Sequence, residues 1–233
     1  MRNTLEIIEE AIKKRKQIHH SVVNAGKIVL MEEDEELKRS VIDADLINAD
    51  GQAVVWAANF LGLYIPERVS GIDLMQRLVK MSSKKKYKCF FLGATDEVVS
   101  ELVDIYKRKY SEEIIAGYRN GYFSREEAAE VAKQIVNSKA NILFVAITSP
   151  KKEIFLNTYK DQFKKVNFIM GVGGSFDVIV GKVKRAPIWM QDIGLEWLFR
   201  FLQEPIRMWE RYTIGNIKFI LLVIKQYFRS KLN

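Results

Sequence analysis

The chain has one cysteine, two histidines and four prolines in 233 residues. Each shortage excludes something. Cys89 alone, set in the apolar run KCFFLG, rules out an intrachain disulfide framework; it fits a reducing compartment and an ordinary buried strand position. His19 and His20 are adjacent, and strand neighbours point to opposite faces, so with no other His or Cys cluster no metal centre is expected. Long apolar runs are missing too. The longest, Ile217 to Ile224 (IKFILLVI), includes Lys218 and falls short of the ~18 residues of a spanning helix. The opening MRNTLEIIEEAIKKRKQ has no apolar signal core and reads as an amphipathic helix, so a cytoplasmic protein is expected.

What is present is a 48% hydrophobic composition, enough for one sizeable core, and a net charge of +8 placed unevenly. From Lys182 onward there are ten Lys or Arg against four Asp or Glu, which accounts for six of the eight charges. Ile214, Ile217, Leu221, Ile224 and Phe228 recur there at helical spacing beside Lys218, Lys225, Arg229 and Lys231. Such a helix either docks on its own domain or lies in a membrane interface.

Strand-length apolar runs alternate with helical patterns through most of the chain. Residues 18–23, 46–49, 88–92, 113–118, 142–147 and 166–172 read as strands, mostly continuous and therefore buried on both faces. Helices are expected near 24–42, 51–62, 71–82, 95–109, 124–138 and 150–164, with start signals at Thr95, at Ser124 with Glu127, and at Ser149-Pro150. The fold class is α/β, Rossmann-like: a largely parallel six-stranded sheet between helices. The expected division is a catalytic core over 1–186 and a basic helical appendage over 187–233. Truncation after Lys184 should leave the core folded.

In an open parallel sheet, ligands sit beyond the carboxyl ends of the strands. The residues there are Asn24, Asp50-Gly51, Gly93-Ala94, Asn120-Gly121, Thr148-Ser149 and Gly171 to Ser175. The last group opens GVGGSFDVIVGKVKRAP, where Gly171, Gly173, Gly174 and Ser175 let backbone amides approach an oxyanion and Lys182, Lys184 and Arg185 add charge. It is not G-x-G-x-x-G and follows the last strand, so a nicotinamide cofactor is not expected. Asp50 is the carboxylate at this rim, and serves either as a helix cap or as a base. Asp43 and Asp45 resemble a metal-holding Asp-x-Asp pair but precede their strand, and are read as solvated acids. Tail aromatics among arginines raise nucleic acid as a partner; the heavy aliphatic content of LEWLFRFL and IKFILLVI argues for a lipid surface instead.

DLINADG, PERVSGIDLM, SPKKE, GVGGSFDVIVGKVKRAP and GLEWLFRFLQEPIRMWERY, in this order, resemble the WecG/TagA/CpsF glycosyltransferases over nearly the whole chain. The resemblance implies inverting transfer of N-acetylmannosamine or a relative from a UDP-sugar donor to a polyprenyl-diphosphate-linked glycan acceptor, without a cofactor or metal. It implies a peripheral position on the inner face of the plasma membrane, against an anionic membrane surface. Asp50 falls on the family's proposed base. Asn24 and Arg68 fall on pocket positions; Gly93, Lys152 and Gly171 to Ser175 are expected to contact substrate. Arg200, Arg207 and Arg211 fall in the tail whose arginines close over the lipid diphosphate. A homo-oligomer would cover exposed apolar tail surface.

Three positions depart from the family pattern: Val22 for a threonine, Lys152 for a glutamine, and Glu210 for an arginine, with Arg211 beside it. The family's initial β-hairpin is also missing here. These departures leave open a different donor, such as UDP-glucose or a UDP-uronic acid, and a non-catalytic module that grips nucleotide-sugar or lipid-linked glycan. An ammonium at Lys152 would suit a more acidic donor.

Overall fold

Three of the strands are apolar at every position, which is what a sheet covered on both faces requires. In the computed structural model, which describes residues 1–232, the chain runs α1 (Arg2–Lys13), β1 (Ile18–Val23), α2 (Ala25–Glu33), α3 (Glu35–Ile42), β2 (Leu46–Ala49), α4 (Gln52–Phe60), α5 (Gly71–Lys85) and β3 (Cys89–Gly93). It continues through α6 (Asp96–Lys109), β4 (Ile115–Arg119), α7 (Ala128–Asn137), β5 (Ile142–Ala146), α8 (Lys151–Thr158), β6 (Phe168–Gly171) and α9 (Ser175–Ile179). Past β6 only helices follow: α10 (Ile188–Asp192), α11 (Glu196–Gln203), α12 (Pro205–Trp209), a π-helical turn over Glu210–Ile214, and α13 (Gly215–Leu232). Asn233 and the side chains of Leu232, Arg207 and Arg211 lie outside the described residues.

The six strands form one parallel sheet in the order β2-β1-β6-β5-β3-β4. Phe168 of β6 stands opposite Ile18 of β1 on one side and Ile142 of β5 on the other. The expected strands match, with shifts of one to two residues at the ends of the last four. The helix expected over 24–42 is two helices, α2 and α3. Asp34 ends the first, and its Oδ1 accepts the Leu37 N–H at 2.9 Å to start the second. The expected capping box is formed: Glu127 Oε2 accepts the Ser124 N–H at 2.7 Å and Ser124 Oγ accepts the Glu127 N–H at 3.3 Å.

The chain forms two compact units. The first comprises residues 1–21, 39–47 and 71–183, the second residues 22–38, 48–70 and 184–233. In the first, Phe90, Leu143, Val145 and Ile169 pack against Val131 and Ile135 of α7 and Leu156 of α8. On the opposite face Phe91 contacts Phe144, Tyr106 and Phe176 at ring separations of 5.6 to 6.1 Å. Each such fully buried side chain contributes about 1.5–3 kcal/mol. Asp45 is not a purely solvated acid: its Oδ2 accepts the His19 N–H at 2.8 Å while its own N–H donates to His19 O, tying the start of β1 to the approach of β2.

The second unit has its own apolar cluster, in which Phe219 of α13 is buried among Val29, Val54 and Val55, with Leu222 and Val223 beside it. Lys218 adds an ion pair to Glu33 of α2. The last helix is therefore part of this unit's core, and truncation after Lys184 removes Phe219 from that cluster. Ile217, Leu221, Ile224 and Phe228, which lie on the other side of α13, are exposed. α13 is thus apolar on two opposite faces, one docked and one open.

Candidate active site

The turn from β2 into α4 is held by backbone as much as by side chains. The Asp50 N–H donates to Val23 O at 2.9 Å, so the residue after β2 is tied to the last residue of β1. The helix cap falls one position later, on Gly51, and Asp50 stands before it, half-buried. Asn24, the next residue after β1, is itself a helix cap: it is extended (φ −134°, ψ 171°) and its Oδ1 accepts the Lys27 N–H at 3.0 Å. A Cβ on Gly51 would lie 3.2 Å from the Asn24 Cβ. Asn24 and the Asp50-Gly51 turn are therefore neighbours, because β1 and β2 are adjacent in the sheet.

Arg68, on the segment between α4 and α5, is brought to Glu196, the first residue of α11. Its Nη1 lies 2.9 Å from Glu196 Oε2, and Arg185 Nε lies 3.2 Å from Oε1 of the same carboxylate. The segment carrying Arg185 is pinned on both sides, because Gln203 Nε2 donates to Lys184 O at 3.1 Å and Gln191 Nε2 to Ala186 O at 2.7 Å. The approach to α11 is fixed by Gly194: at φ +74° and with its Cβ position 2.8 Å from Gln52 Cγ, no larger residue fits there. One turn beyond Glu196, on the same side of α11, Arg200 has its Nε buried without a hydrogen-bond partner among the described residues. The expected Arg207 and Arg211 contacts fall outside the described residues. Glu196 is not among the residues the sequence points to, and Arg185 is expected only as part of the basic cluster after the glycines. Arg185 stood in the visible basic cluster, but Glu196 lies 128 residues from Arg68 and nothing local signals the pairing.

The first unit holds the remaining candidates. Gly93 ends β3 at φ +132°, and a Cβ there would lie 2.4 Å from Ala146 O, so this glycine is what lets β3 approach β5. Gly121 packs onto Gly93, its Cβ position 2.9 Å from the Gly93 Cα, and Asn120 Nδ2 donates to both carboxylate oxygens of Asp96 at 2.9 Å. After β6, Gly173 is left-handed at φ +52° and Ser175 is buried, its hydroxyl donating to Val172 O at 2.6 Å. The serine hydroxyl thus fixes the turn. Lys152 is buried: its methylenes run over Gly171, and its Nζ is 3.1 Å from Glu153 Oε1, whose other oxygen accepts from Ser149 Oγ at 2.8 Å. Its charge therefore has a counter-charge within the fold. Among the described residues no group of three or more His, Cys, Asp or Glu is placed to hold a metal ion.

The fold is thus an α/β one with a single parallel sheet, with polar and glycine turns after its strands and a carboxylate at one strand-to-helix turn. The chain belongs to the glycosyl transferase WecG/TagA/CpsF family, whose model matches residues 1–233. It is 37% identical over 182 residues to the N-acetylglucosaminyldiphosphoundecaprenol N-acetyl-beta-D-mannosaminyltransferase of Bacillus spizizenii (strain W23), covering 78% of this chain and 69% of that one. The protein of the same name from Bacillus subtilis (strain 168) is 36% identical over 183 residues, covering 78% and 70%. The chain is a glycosyltransferase, as the sequence resemblance implied. No described helix is long and apolar enough to cross a membrane.

Proposed function

We propose that the chain transfers N-acetylmannosamine from a UDP-sugar to N-acetylglucosamine carried on undecaprenyl diphosphate, with inversion at the anomeric carbon. What supports this most directly is the match to two transferases whose names give that acceptor and that sugar. In this reading Asp50 takes the proton of the acceptor hydroxyl as its oxygen attacks the anomeric carbon, while the bond from that carbon to UDP breaks on the opposite side. Asn24, packed against the turn that carries Asp50, sets the carboxylate's approach. Arg68, Arg200, Arg207 and Arg211 supply the positive charge that a diphosphate requires. The glycines from Gly171 to Gly174 receive the nucleotide portion through backbone N–H groups, Gly93 shaping the rim. The reaction proceeds without a divalent metal, its role in neutralising diphosphate taken by guanidinium groups. The open face of α13, flanked by Lys218, Lys225 and Arg229, holds the enzyme on the anionic surface where a polyprenyl acceptor resides.

The test is release of UDP from a panel of UDP-sugars with a short-chain prenyl-diphosphate N-acetylglucosamine acceptor, with EDTA and with Asp50→Asn alongside. Acceptor-dependent turnover that persists in EDTA and falls by about 10²–10⁴-fold in Asp50→Asn is the expected result. Binding of UDP-sugar without turnover, whatever the donor, would point to a non-catalytic module. Turnover confined to UDP-glucose or a UDP-uronic acid would replace the donor while keeping the reaction.

A further inference from the structure

The guanidiniums of Arg68 and Arg185 do not stand alone. They come from segments 117 positions apart in the chain and meet on opposite oxygens of one carboxylate, Glu196, at 2.9 and 3.2 Å. All three side chains are largely withdrawn from water, at 17%, 22% and 31% exposure. Two like charges brought this close would repel strongly in such a setting, and the shared carboxylate is what makes the pairing stable. Its own position is favourable, because the first turn of a helix stabilises an anion. Arg68 and Arg185 each donate an N–H to Glu196, one to each carboxylate oxygen. The trio keeps a net charge of +1, and Arg200, one turn along the same side of α11, adds another together with a buried Nε–H that has no acceptor among the described residues.

We propose that Glu196 is a positioning residue that holds Arg68 and Arg185 as a paired fork for a diphosphate, with Arg185 as a member of that fork and Arg200 completing it. The proposal rests on the transferase reading for which diphosphate is held. The chemistry recognised is a diphosphate, and it belongs either to the lipid-linked acceptor or to UDP. Glu196 works through the arginines and touches no reacting atom. A glutamine at this position is the informative change. Its amide oxygen still accepts from one arginine, but its NH₂ turns a donor toward the other, so one member of the fork loses its anchor.

The experiment compares wild type, Glu196→Gln, Glu196→Asp and Arg185→Lys by steady-state kinetics for each substrate, by calorimetric titration with inorganic pyrophosphate, and by thermal melting. For Glu196→Gln the expected result is about a tenfold or greater rise in one substrate's KM with kcat within about threefold, the pattern of lost binding that is uniform between ground and transition states. Pyrophosphate affinity should weaken by a similar factor, with partial recovery in Glu196→Asp, and the melting temperature should fall because two withdrawn guanidiniums lose their shared anion. Arg185→Lys should follow Glu196→Gln, since an ammonium lacks the planar fork. A rise confined to the acceptor's KM places the lipid diphosphate on the fork, and one confined to the donor's KM places UDP there; either supports the proposal. Unchanged KM values and pyrophosphate affinity overturn it. So does tighter pyrophosphate binding by Glu196→Gln, which would make Glu196 a competitor of the anion. If wild type turns over no donor, the transferase reading fails by itself, and the pyrophosphate titration of the same variants still decides the fork.

Discussion

The Cβ position of Gly51 lies 3.2 Å from the Cβ of Asn24, so the turn carrying Asp50 is shaped by the helix cap that follows the neighbouring strand. That contact is tighter than most real side-chain contacts, and an added methyl must push Asn24 by a few tenths of an ångström. Gly51→Ala is expected to keep the fold, since Gly51 has an ordinary φ of −94°, and to lower kcat by about tenfold or more through the displaced base. Asn24→Ala should cost about 1 kcal/mol of stability through loss of the cap, in addition to any loss of turnover. Melting temperatures and UDP release for both variants check this. Wild-type kcat in Gly51→Ala would mean that Asp50 tolerates displacement and is not the base.

Gly93→Ala behaves differently. The Cβ would meet the Ala146 carbonyl oxygen at 2.4 Å with backbone on both sides of the contact, and φ +132° is a conformation that side chains rarely adopt. Neither β3 nor β5 can yield, because both are buried and hydrogen-bonded along their length. The expected loss is about 3 kcal/mol or more, seen as a large fall in denaturation midpoint or as insoluble protein. A stable Gly93→Ala variant with weakened UDP-sugar binding would instead assign this glycine to the ligand.

Much of this was visible in the chain. The runs CFFLG, ILFVA and FIMG announced buried parallel strands because a sheet covered on both faces admits no polar alternation, and the turn after each strand located the rim. The break at Asp34 was missed because apolar spacing continues across it, although Asp34 followed by two glutamates is itself a helix-start signal. Glu196 was missed for a deeper reason. In α11 it reads as one acid in an amphipathic helix, and its meaning comes from Arg68 and Arg185, which only folding brings to it. Lys152 shows the same limit: the sequence gives its charge, and only the fold shows it buried against the Glu153 carboxylate.

Lys152 and Glu153 form an ion pair with side-chain exposures of 8% and 5%, so removing one charge takes a close counter-charge from the other in a buried setting. Glu153→Gln is expected to destabilise the protein by about 3–5 kcal/mol, and Lys152→Met/Glu153→Gln by less than that single change, because the double variant buries no unpaired charge. Chemical denaturation of the two variants and of Lys152→Met closes the cycle. Additive losses would show that the two charges are met separately.

Cys89 is fully buried and its Sγ–H donates to Ser82 Oγ at 3.3 Å. Burial pushes its thiol up to about 12, with the Ser82 contact opposing in part. The thiolate is the reactive form, so the folded protein should resist a disulfide reagent at pH 8 and react with one equivalent after denaturation. The sign for stability follows from the raised value. Burial of the neutral thiol contributes fully below pH 9.0, where the unfolded thiol is still protonated, and that contribution is lost as the pH rises toward 12. Rapid labelling of the native protein would show that the strand opens.

The open face of α13 gives the sharpest test of membrane contact. Deleting the helix also removes Phe219 from the cluster with Val29, Val54 and Val55, so a truncated chain that fails to bind liposomes has two explanations. Substituting only outward positions separates them. Ile217→Ser/Leu221→Ser/Ile224→Ser removes apolar groups that are already exposed in the folded unit, and exposed positions contribute little to the stability of the free protein. Each carries an apolar side chain whose insertion into the interface is worth on the order of 1 kcal/mol or more, so losing three should lower partitioning into anionic vesicles by about a hundredfold. Raising the salt concentration should weaken the remaining attraction from Lys218, Lys225 and Arg229. Flotation with vesicles of phosphatidylglycerol, with melting temperature as the control, decides the matter: equal flotation of wild type and the triple variant would remove this face from the membrane, and the apolar stripe would then need a protein partner to cover it.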